Sequence, residues 1–227
     1  LLFAYGLAIT TDDIYDNSYA IIIGISEYQN MPHLNYGSSD AEAIHNLLIS
    51  EFGFPVENTI LLLNEQATAL NIKKSLSKII KKAKSNDRIL VYFSGHGMTE
   101  DLPGGGEMGY LIPFDGEFDE LYLTSIPMTE LKAISNRTEA NHLLYLVDAC
   151  YGGTATIRSK GDNVSGYMHN IINDKAHQII TAGGRGEQVI EKSEWGHSAF
   201  TRNLLKGLQT GIADMNYDGY ITARELL

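Results

Sequence analysis

Hydrophobic and polar positions alternate between two periods along most of the chain. Residues 19–26, YAIIIGIS, form a short β-branched run closed by polar residues, which predicts a strand buried on both faces. Residues 38–53, SSDAEAIHNLLISEFG, carry a Ser/Asp start, helical apolar spacing and a Gly stop. Residues 58–64 predict a second buried strand. Residues 67–84 predict an amphipathic helix with Ile72, Leu76, Ile79, Ile80 and Ala83 on one face. The lysines of that helix read as a solvated face. Further strands are expected at 87–94, 142–149 and 177–183, and further helices from 128 and across 197–211. Residues 99–120 and 152–175 lack periodicity and read as loops, the first rich in Gly and acid. Strands alternating with helices imply a largely parallel sheet covered on both faces, whose ligands gather at the carboxyl ends of the strands.

Composition narrows the classes. A chain of 227 residues with 44% hydrophobic residues supports one sizeable α/β domain. A formal net charge of −11 disfavours a nucleic-acid partner and suits basic substrates or cations. One cysteine excludes an internal disulfide and any Cys-rich zinc site. No apolar run approaches the ~20 residues of a membrane span. The first eight residues, LLFAYGLA, read either as the remnant of a signal-peptide apolar region or as an ordinary first strand. Localisation therefore stays open between cytoplasmic and extracytoplasmic. Three regions follow: an N-terminal segment over 1–18, a main domain over 19–212, and a short terminal unit over 213–227.

The carboxyl ends of two expected strands hold the reactive groups. One reads VYFSGHGM and the other YLVDACYGG, so His96 and Cys150 each follow a buried strand and each has Gly close by. A free thiol with a pKa near 8.5 is mostly protonated at neutral pH, and a nearby imidazole lowers that pKa or takes the proton. Gly lets a substrate backbone approach, and the amides of Gly97 and Cys150 are placed to donate to a developing oxyanion. Taken singly, a cysteine at a strand end is commonly a small buried hydrophobe, and a lone histidine commonly structural. The joint pattern is more specific.

YFSGHG and LVDACYGG, with Cys150 coming 54 positions after His96, resemble the caspase-like cysteine proteases, in particular metacaspases and their bacterial relatives. The caspase signature is Gln-Ala-Cys followed by Gly at the second position, with its His about 50 residues upstream. This chain keeps Ala149, Cys150 and Gly152 and has Asp148 in place of Gln. The resemblance runs from YAIIIGISEY to GHSAFTRNLLKGL. It implies the caspase-hemoglobinase fold, an α/β architecture with about six mostly parallel strands flanked by helices. It also implies peptide hydrolysis by a Cys150–His96 dyad without a metal in the chemistry.

The resemblance bears on specificity too. Caspases hold a substrate Asp with arginines, whereas the corresponding positions here are acidic. Asp40, in NYGSSDA, corresponds to the metacaspase Asp that lines the first specificity pocket; Ser94 and Asp148 match two further pocket positions. Two carboxylates in one pocket favour Arg or Lys. Asp40 reads equally as a helix N-cap, and Asp148 as a loop-orienting residue. The 152–175 segment matches the family's join between subunit halves, where Arg158 or Lys160 offers a self-cleavage site or an ordinary surface charge. The resemblance further implies calcium-dependent activation through an acidic site whose ligands do not map onto this sequence.

A separate motif lies near the end. Residues 214–225, DMNYDGYITARE, fit the calcium-loop template at Asp214, Asn216, Asp218, Gly219 and Glu225, with Tyr220 offering its carbonyl. Ile221 stands where such loops pair with a partner hand, and a helix is expected to follow. The alternative is a polar turn that copies the pattern. Three functional readings result: an endopeptidase cutting protein or peptide substrates after Arg or Lys, a catalytically silent caspase-like module that binds peptides, and a calcium-binding interaction domain.

Overall fold

The computed structural model describes residues 2–4, 14–149, 176–182 and 193–226. Cys150, Arg158 and Lys160 lie outside them. Ten strands occur among the described residues. In chain order the elements that matter are β1 (Leu2–Ala4), β2 (Ser18–Gly24), α1 (Gly37–Glu51), β3 (Thr59–Leu63), α2 (Ala69–Lys82), β4 (Arg88–Ser94), β5 (Gly97–Asp101) and β6 (Glu107–Leu111). They continue with α3 (Leu121–Thr124), β7 (Ile126–Pro127), α4 (Met128–Ser135), β8 (His142–Asp148), β9 (Ala176–Thr181), α5 (Ala199–Gln209) and β10 (Tyr220–Thr222).

The central sheet has the order β3-β2-β4-β8-β9, and every pairing in it is parallel. Five strands are thus found among the described residues where the resemblance implies about six. Residues of β2, β4 and β8 are buried throughout, as helices on both faces require. Alternate positions feed two cores. Ile21, Ile23, Val91, Phe93, Tyr145 and Val147 pack beneath α2 and α4. Ile22, Leu90, Tyr92, Leu144 and Leu146 pack beneath α1 and α5. The α2 stripe holds as its spacing predicts: Ile72, Leu76, Ile79 and Ala83 are buried, and Ile80 is partly so. Thr68 caps that helix by accepting from Asn71 N at 3.2 Å, and Asp115 takes the Ala69 amide at 2.8 Å.

Two expectations are corrected. Residues 99–120 are not simply a loop, because β5 and β6 pair antiparallel and β7 joins them as a third strand. The turn through Gly104, Gly105 and Gly106 carries the Gly that suggested a loop, while Tyr110, Leu111 and Ile112 are buried in the core beneath α2. No helix follows the 214–225 motif either. Residues 220–222 are a strand and 223–226 are turns. Its partner is β1, in antiparallel register with Phe3 opposite Ile221. Both side chains are fully buried, so the N-terminal strand occupies the edge that a second calcium hand would take.

Candidate active site

In the parallel register Ser94 lies opposite Asp148, and the Gly95 amide donates to the Asp148 carbonyl at 3.1 Å. His96 and Cys150 thus each come two residues after a matched pair of strand ends. The geometry of Cys150 itself is outside the described residues.

His96 is held on three sides. Its backbone N–H donates to the Tyr28 hydroxyl at 2.7 Å, and its ring lies 4.8 Å from the Tyr28 ring, centroid to centroid. Its Nε2 is 2.9 Å from the Pro32 carbonyl oxygen. A carbonyl only accepts, so Nε2 carries the hydrogen, and in the neutral ring Nδ1 keeps the lone pair. That is the nitrogen able to take a proton from a thiol. The preceding Gly is required for space: a Cβ on residue 95 would stand 2.5 Å from the Tyr28 hydroxyl and 3.0 Å from the Phe93 ring. The loop that supplies Tyr28 and Pro32 is pinned by Asn64, whose side-chain oxygen accepts from Ser26 N and Glu27 N. Burial pushes the Tyr28 hydroxyl pKa up, so it remains a neutral hydrogen-bonding group at ordinary pH. Gly97 opens β5 opposite Leu111.

The three expected pocket residues lie on the α1/α5 side of the sheet. Ser94 and Asp148 continue the alternation of Leu90–Tyr92 and Leu144–Leu146, and both are buried. Asp40 enters from the first turn of α1 and is fully buried. It does not cap that helix: Tyr36 is the N-cap residue, and both Asp40 oxygens point elsewhere. The helix comes this close because Gly24 and Gly37 leave room for it: a Cβ on Gly24 would stand 2.4 Å from the Gly37 carbonyl oxygen, and one on Gly37 would stand 2.4 Å from the Ile25 carbonyl oxygen.

Asp40 Oδ1 lies 2.5 Å from His197 Nδ1, and Oδ2 accepts the Ser198 amide at 3.2 Å. Asp148 Oδ2 accepts the hydroxyls of Ser198 and Thr201, the latter at 2.6 Å. Ser198 is also the N-cap of α5, accepting from Thr201 N at 3.0 Å. The Thr201 hydroxyl pairs with the Tyr92 hydroxyl at 2.6 Å. Two carboxylates from α1 and β8 therefore meet at one serine. Burial raises the Asp40 carboxyl pKa, and the His197 and Ser198 hydrogen bonds oppose that rise. Burial likewise raises the Tyr92 phenol well above its usual range, helped by the negative charge of Asp148 and Asp40.

His197, Ser198, Thr201, Tyr28 and Pro32 were not expected from the sequence. The single hint for the first three is a Ser-x-x-Thr helix start directly after GH. A histidine 157 positions from its carboxylate leaves no local pattern.

In the terminal motif, Asp214 accepts from Asp218 N at 3.2 Å and Gly219 N at 2.9 Å. Asp218 accepts from Tyr220 N, and Glu225 Oε2 accepts both the amide and the hydroxyl of Thr222. Among the described residues no three His, Cys, Asp or Glu side chains gather as a metal-ligand group. No helix among them is long and apolar enough to cross a membrane.

Comparison with known proteins agrees with this frame. Metacaspase-1 of Eremothecium gossypii is 30% identical over 149 residues, covering 61% of this chain and 32% of that protein. Metacaspase-7 of Arabidopsis thaliana is 31% identical over 144 residues, covering 59% of this chain and 34% of that protein. The chain thus spans about a third of the length of the curated relatives it matches. A protein of known structure from Geobacter sulfurreducens shares the fold, with TM-score 0.61 at 18% identity over 86% of this chain and 83% of that one. The family model described as Caspase domain matches residues 17–223, nearly the whole sequence, and the chain belongs to that caspase-domain peptidase family.

Proposed function

We propose that this chain is a cysteine endopeptidase that cleaves peptide bonds after Arg or Lys, with Cys150 as nucleophile and His96 as its base. The observation that carries the reading is the meeting of Asp40 and Asp148 at Ser198, beneath the strand ends that lead to His96 and Cys150. A guanidinium or ammonium brought there is matched by two carboxylates on a water-poor floor, where charge-assisted hydrogen bonds are strongest. An aspartate side chain brought there meets like charge.

The chemistry proceeds in two halves. His96 Nδ1 accepts the Cys150 thiol proton, while its Nε2–H stays on the Pro32 carbonyl and keeps the ring oriented. The thiolate adds to the scissile carbonyl, and the amides of Gly97 and Cys150 stabilise the oxyanion. The imidazolium then protonates the departing amine, leaving an acyl-enzyme. In the second half His96 takes a proton from water, which attacks the thioester and restores the thiol.

Cleavage of a peptide library by the wild type, Cys150→Ala and His96→Ala tests the assignment. Basic residues should dominate the cleaved position, and both variants should be inactive. Intact-mass analysis of the same proteins tests self-cleavage at Arg158 or Lys160, which the wild type should show and Cys150→Ala should lack.

The terminal motif carries a separate proposal, calcium binding through Asp214, Asn216, Asp218, Glu225 and the Tyr220 carbonyl. All the donors are oxygens, as calcium prefers, and Tyr220–Thr222 already forms the short strand of such a loop. Against this, the carboxylates serve the loop's own amides and Thr222. Calorimetry of the wild type and Glu225→Gln decides: equal responses make the motif a turn.

A further inference from the structure

Asp40 has no exposed surface of its own. Both of its oxygens are taken by two consecutive residues, His197 and Ser198, of the segment leading into α5. The Ser198 contact is made by a backbone amide beneath the helix start. The His197 contact is made by an imidazole whose side chain is 29% exposed. Among the described residues the imidazole is therefore the outermost group on the carboxylate, partly exposed and with Nδ1 on Oδ1. A histidine is cationic when protonated, and it already sits where a cation from a peptide would have to sit.

We propose that His197 is the gate of the basic-residue pocket: its imidazole holds the place of the substrate's cation on Asp40, and an Arg or Lys side chain enters by displacing it. The inference rests on the reading that the Asp40–Asp148 pocket takes basic residues. The gate sets the cost of entry, and the two carboxylates set which side chain recovers it. Met returns no donor to Asp40 Oδ1 and Gln returns only an uncharged one, so their entry leaves the buried carboxylate without a countercharge. A guanidinium or ammonium restores the pairing. The cost of displacing His197 falls on every entrant alike and lowers the affinity of all of them; discrimination between cationic and neutral residues comes from the cation's own pairing with Asp40 once bound. Opening requires rotation of one side chain, because Ser198 continues to hold Oδ2 and the start of α5.

The test compares His197→Ala with the wild type on peptides that differ only in Arg, Lys or Gln at the cleaved position. Removing the competitor should lower KM for Arg peptides about tenfold, the factor expected when one charge-assisted hydrogen bond no longer has to be broken, with kcat unchanged. A residue that merely anchors α5 would give the opposite sign, since its loss loosens the pocket. An unchanged or raised KM overturns the gate. Should His197→Ala fail to fold, the Cys150→Ala protein with native His197 is titrated with agmatine, a free guanidinium, and the imidazole signals are followed by NMR. Saturable release of the His197 ring towards free-imidazole shifts supports the gate. Agmatine binding that leaves the ring in place overturns it, as does the absence of binding. A wild type that cleaves only after non-basic residues overturns the pocket reading itself, an outcome visible before any variant is made.

Discussion

Strands β4 and β8 carry a buried polar cluster at each end, and the two clusters differ in kind. At the amino ends stand Arg88 and His142, both essentially without exposure. Arg88 donates to the Ser18 hydroxyl and the Phe52 carbonyl, and its guanidinium lies over the Tyr15 and Phe54 rings. His142 Nδ1 pairs with the Tyr15 hydroxyl at 2.6 Å. The partners Tyr15, Ser18, Phe52 and Phe54 are themselves buried. At the carboxyl ends stand Ser94 and Asp148, Asp148 being linked through Ser198 to Asp40 and His197, with His96 just beyond and partly exposed. Buried polarity alone does not mark function. What distinguishes the second cluster is its place at the carboxyl ends of parallel strands, the Gly turns beside it, and side chains that reach solvent.

The largest expected effect separates the two ends by activity. His96→Ala should lower kcat/KM by roughly 10³–10⁴-fold with no loss of thermal stability, as removal of a general base does. Arg88→Ala should do the reverse. Its loss empties a packed site and strands the Phe52 carbonyl, costing about 3–4 kcal/mol in denaturant unfolding. The folded fraction should keep its kcat.

Asp148→Asn bridges the comparison, because Asp148 both supports α5 and faces the proposed substrate cation. It should cost about 2 kcal/mol in kcat/KM for Arg peptides. Unfolding should register a smaller loss, since the amide oxygen still accepts from Ser198. The smallest effect belongs to Tyr28→Phe. The ring contact with His96 survives and the hydroxyl acceptor is lost, so kcat should fall about fivefold, the worth of one ordinary hydrogen bond of about 1 kcal/mol, with KM unchanged.

These two ends were not equally legible in the sequence. The strands themselves were, because continuous apolar runs such as ILVYF in β4 and LLYLV in β8 have one stable setting, a sheet covered on both faces. His96 and Cys150 stood out because each follows such a run beside Gly. The β5–β6 hairpin was hidden: its strands are short, Gly- and acid-rich, and half-exposed, so neither period shows. The partners of Asp40 were hidden for a different reason. Helix capping explains Ser198 locally, whereas the approach of α1 to the start of α5 depends on packing across the sheet, which no window of sequence contains. The N-terminal strand was ambiguous until its pairing with Tyr220–Thr222 supplied a partner.

The account's central claim is that an acidic pocket at the carboxyl ends of β4 and β8 directs a cysteine peptidase to basic residues. Its most direct test is the cleavage profile of the wild type and of Asp40→Ala on a library varied at the cleaved position. Wild-type cuts should fall after Arg and Lys and vanish with Cys150→Ala, and Asp40→Ala should lose the basic preference while still cutting a non-basic peptide slowly. A profile centred on Asp or on apolar residues, or one left unchanged by Asp40→Ala, would contradict it.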